Sequence, residues 1–100
     1  MVVSLPDFKT SLAGAAPATG LSPVLTGLWW LGKGDWDRAH GIIQDETGRD
    51  AAWAHAHLHR VEGDLGNAAY WYRQAGQKVA TDALDIEFER IVSALLGYRE

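Results

Sequence analysis

The chain has 100 residues, enough for one domain with a modest core. Its apolar fraction of 47% and charged fraction of 22% are those of a globular protein. A net charge of −4 argues against nucleic acid or an anionic membrane surface as partner, and the absence of cysteine excludes disulfides and thiolate metal sites. No basic stretch precedes an apolar run near the N-terminus, and no run approaches the roughly 18 apolar residues of a membrane span, so a cytoplasmic protein is expected.

Taken in chain order, residues 1–20 read as an irregular N-terminal segment with a short helical turn from Pro6 to Leu12. Ser22-Pro23 is a helix start, with serine as cap and proline at the first helical position, and this helix is predicted to run to about Lys33. Gly34 stops it and Asp35 caps the next, WDRAHGIIQDE. Asp50 is the expected cap of AAWAHAHLHRVE, Gly63-Asp64 repeats the stop and the cap, and LGNAAYWYRQAG follows. Thr81 is the expected cap of a last helix, in which Leu84, Phe88, Ile91 and Leu95 form one apolar stripe. No strand pattern competes. The expected fold is therefore all-α, one helical domain over 1–100, closed by an amphipathic C-terminal helix.

KGDWDRAHGIIQ and EGDLGNAAYWYR resemble each other at a spacing of 29 residues. Gly34, Asp35 and Ala39 align with Gly63, Asp64 and Ala68, and Ile43 aligns with Tyr72. The pattern G-D-x-x-x-A, with Gly27 and Ala56 seven residues before each Gly-Asp, resembles the tetratricopeptide repeat over residues 23–76. The resemblance implies two antiparallel helical hairpins and a protein-interaction module. The stretch LHRVEGDLGNAAYWYRQAG is also similar to a group of small bacterial proteins of unassigned function that share an HRxEGDxxNAxYWY segment.

Ala54 to Asp64 reads AHAHLHRVEGD, with three alternating histidines. At about 100° per residue on a helix, His55, His59 and Glu62 share one side, and His57 points elsewhere. Histidines at i and i+4 with a carboxylate can hold a divalent metal, so His55, His59 and Glu62 are one possible ligand set. The zinc-protease motif is absent, because Ala56 stands where its glutamate belongs. In the tetratricopeptide resemblance, His55 and His59 occupy positions filled by large packed residues. They are accordingly expected to be buried, close together and hydrogen-bonded within the domain, with no metal and no cofactor. His40 stands apart from the pair in sequence. Arg60 and Arg73, with Glu62 and Asp64, suggest ion pairs around Gly63.

Five tryptophans are a heavy load for this length. Trp30 and Trp36 fall at packing positions of the repeat, whereas Trp53, Tyr70 and Trp71 lie off the apolar stripes and suit an interface or a ligand groove. No catalytic constellation is legible, so an enzyme is not expected. Two readings remain for function. The first is an interaction or scaffold module that binds a protein partner or a second copy of itself, inferred from the resemblance. The second is a small-molecule or metal site at His55, His59, Arg60 and Glu62, with Trp71 beside it.

Overall fold

A computed structural model describes residues 3–97 of the protein, and among these the only regular structure is helical. The helices are α1 Leu5–Ser11, α2 Pro23–Gly32, α3 Trp36–Ile43, α4 Arg49–Glu62, α5 Leu65–Ala75 and α6 Leu84–Leu95. None of them is long and apolar enough to cross a membrane. The most extensive packing joins α2 to α3 and α4 to α5.

The glycine-aspartate turns behave as matching devices. Gly34 and Gly63 take φ of 85° and 88°, and the amides of Asp35 and Asp64 reach back to the carbonyls of Trp30 and His59 at 2.9 Å. The aspartate side chains then accept from the amides of Arg38 (3.1 Å) and Asn67 (3.2 Å), satisfying donors that a new helix leaves free. Gly63→Val is expected to lower stability by more than about 1 kcal/mol. Apart from its chain neighbours, no atom lies within 4 Å of an added Cβ, so the cost of that atom is one of backbone conformation. A thermal melt superimposable on the parent's would show that the turn does not need a positive φ.

The 29-residue spacing also recurs in the packing. A Cβ on Gly27 would stand 2.6 Å from Cγ1 of Ile43, so only glycine lets α2 come this close to α3. On α4, buried Ala56 packs with Ala68 and Tyr72. The main core gathers Leu28, Trp29, Ile43, Leu58, Ile91 and Val92, with Phe8 sealing it from α1. Trp29 inside that core donates its indole N–H to Ser11 Oγ at 2.9 Å, which ties the N-terminal segment down.

Several expectations need correction. Asp50 is not the cap of α4: the helix starts at Arg49, two residues earlier than expected, after Gly48 at φ 101°, with no side-chain cap. Thr81 does not cap α6, whose N-cap is Ala83. Leu84 is exposed, and the buried line of α6 is Glu87, Ile91 and Val92, with Phe88 and Leu95 only partly buried. The tryptophan at the centre of the core is Trp29. Trp30 is half-buried beneath the Arg38 guanidinium at 4.1 Å, and Trp36 is half-buried too.

Candidate functional site

α4 carries two opposed sets of polar groups. On one side His57 is sealed in the interior and its Nδ1 lies 2.7 Å from Oε1 of Glu87, a carboxylate with no exposed surface. Glu87 also accepts from Arg60 at 2.9 Å and from the hydroxyl of Tyr72. Burial alone pushes this carboxyl up, but the bonds from His57, Tyr72 and Arg60 reverse the direction and hold it below the usual range. Burial and the bond to Glu87 raise Tyr72 in turn. The cluster fastens α6 to α4 and α5, and every group in it is used.

On the other side of α4 the arrangement is different. His55 and His59, one turn apart, lie with ring centroids 4.8 Å apart, and both are buried. α3 supplies a third imidazole: His40 stands 5.0 Å from His55 and 5.5 Å from His59. One ring nitrogen from each of the three falls within 4.8 Å of the others. Tryptophan rings cover the group from both ends. Trp36 stacks on His40 at 4.8 Å and 8°, and Trp71 stacks on His55 at 4.0 Å and 12°. Trp36 is itself held in place by its N–H bond to the Leu58 carbonyl, at 2.8 Å.

Nδ1 of His59 lies 2.6 Å from Oε2 of Glu62. A carboxylate can only accept, so the hydrogen sits on Nδ1 and the lone pair of Nε2 is presented. The rings of His40 and His55 make no side-chain hydrogen bond among the described residues, and no buried side-chain nitrogen there lacks both partner and solvent. Burial pushes His55 down to about 4, and the neighbouring His59 and His40 push it the same way, so the ring is neutral at neutral pH. A cleft of about 460 Å³ opens beside His55 and Trp71, with Gln44, Arg49 and Gln74 on its walls.

The structure thus places His55, His59, Glu62 and Trp71 together, with Glu62 as the hydrogen-bond partner on the Nδ1 side of His59. Arg60 lies elsewhere. Its guanidinium faces Glu87 and the carbonyl of Asp82, because consecutive helical residues point about 100° apart. The expected hydrogen bond of His55 within the domain is absent, and an aromatic stack takes its place. His40 is the residue that sequence reasoning missed. Comparisons with protein-family models, with curated proteins and with solved structures found no match to this chain.

Proposed function

We propose that the protein is a small ligand-binding module, two tetratricopeptide-like helical hairpins framing a site at His40, His55, His59 and Trp71. One observation carries this reading: three imidazoles from two helices converge between two tryptophan rings, and two of them have no bond that the fold requires. His57, by contrast, has its Nδ1 bonded to the buried Glu87 carboxylate, as a histidine that serves the fold does. Serine, lysine and acid placement around the site offers no nucleophile with its base, so binding is favoured over catalysis. Native mass spectrometry of untagged protein from its own cells is expected to show a non-covalent adduct that His55→Ala abolishes. A parent spectrum without an adduct, or one that His55→Ala leaves unchanged, would remove the reading.

A second reading, docking of a protein partner or a second copy, is supported by exposed Leu65, Val79 and Leu84, which line a groove of about 520 Å³ over Tyr72. Exposed apolar side chains gathered at one groove suit an interface. The same spectra would show a second copy as a doubled mass and a different partner as its own added mass.

A further inference from the structure

We propose, resting on the ligand site just described, that its ligand is a divalent first-row transition metal of the zinc, nickel or copper class, held by His40, His55 and His59. The donor set selects the class. Imidazole nitrogens suit these borderline ions, whereas magnesium and calcium require oxygen ligands. Three protein nitrogens match the number used in open zinc sites, which keep a further position for water or a ligand atom.

The supporting bond is already in place. Metal-bound histidines characteristically donate their other ring N–H to a carboxylate, which fixes tautomer and ring orientation. His59 does this toward Glu62 at 2.6 Å and leaves Nε2 as the ligating atom. Glu62, three residues on and beyond the stretch of α4 that packs inward, is partly exposed and adds negative charge near the ion. Trp36 and Trp71 shield the ring faces of His40 and His55 and leave ring edges as the approach.

The rings must close by up to about 1.5 Å. One nitrogen from each ring lies within 4.8 Å of the others, and around a tetrahedral zinc with bonds of about 2.0–2.1 Å the ligand atoms sit about 3.3 Å apart. Side-chain rotation covers the difference. His40 is half-buried and would slide along the Trp36 face to supply it, and neither His40 nor His55 breaks a side-chain hydrogen bond in doing so. An ion here would tie α3 to α4, where the two repeats meet.

The test uses the full untagged chain, stripped with a chelator, dialysed, and titrated calorimetrically with zinc sulfate and separately with nickel chloride. Saturable uptake of one equivalent is expected, with loss of that site in His40→Ala and in His59→Ala. Glu62→Gln is expected to keep the stoichiometry and weaken binding about 10–100-fold. Imidazole nitrogen shifts should move at Nε2 of His59 and not at His57. Circular dichroism melts check that each variant is folded. If His59→Ala is not, His40→Ala carries the test, because His40 is half-buried on α3. No saturable uptake, or uptake that His40→Ala and Glu62→Gln leave unchanged, overturns the metal assignment. If the native spectra then still show an organic adduct lost in His55→Ala, the ligand site survives and only the metal falls. If they show none, both fall.

Discussion

Replacing Glu87 with alanine is expected to cost about 3–5 kcal/mol, the penalty for breaking a buried ion pair from one side. Glu87 has no exposed surface, and it accepts from His57, Arg60 and Tyr72. Its removal leaves a guanidinium with a largely covered side chain and a buried hydroxyl without their acceptor. Urea unfolding of parent and variant measures the cost, and a difference below 1 kcal/mol would mean that α6 does not dock through this cluster. Glu87→Gln keeps the shape and removes the charge, so the gap between it and the parent should depend on pH. The folded carboxyl is held below its ordinary value, and the unfolded one is not. The stabilisation is therefore fully present above about pH 4.3, the unfolded value, and fades as pH falls toward the folded one. Parent and Glu87→Gln should converge in acid.

Trp29→Ala is expected to cost roughly 3–5 kcal/mol, as for other large aromatics cut to alanine in a core. The ring is fully buried, meets Trp30 edge-on at 4.9 Å, and has the Lys33 ammonium 5.5 Å from its centre. Its N–H holds Ser11, whose own hydroxyl donates to the Phe8 carbonyl at 2.6 Å. The variant should therefore loosen α1 as well as hollow the core. Hydrogen exchange should rise across Leu5–Ser11 more than across α5, which Trp29 does not hold. Trp29→Phe should cost less, since it keeps most of the volume and loses one bond.

Much of the architecture was legible because turns are local. Ser22-Pro23, Gly34-Asp35 and Gly63-Asp64 each carry their instruction within two residues, and each acts as read. Gly27 meets Ile43, and Ala56, 29 positions after Gly27, packs with Tyr72, 29 positions after Ile43. The starts of α4 and α6 were misread, since Asp50 and Thr81 look like caps while the chain turns at Gly48 and Ala83.

The site was half legible. Spacing of i and i+4 brought His55 and His59 together, but His40 reaches them from α3, and no local pattern encodes that contact. Arg60 was drawn in by adjacency in sequence, against the helical angle. Glu87 was passed over because a charge usually faces water. Its position four residues before Ile91, on the buried side of α6, was the available signal.

The contact between α1 and α6 has an entropic consequence. Lys9 and Glu89 form an ion pair at 2.6 Å across 80 positions of chain. Closing a loop that long costs about 2 kcal/mol more than closing one of ten residues, at about 0.6 kcal/mol for each doubling. An exposed ion pair returns only about 0–1 kcal/mol, so it cannot close the loop. Phe8 contributes more, buried against the core with its ring 6.3 Å from that of Phe88, and the Trp29–Ser11 bond holds the same helix from α2. The two ends of the described chain are thus joined by an apolar clasp, with the polar pair lying over it.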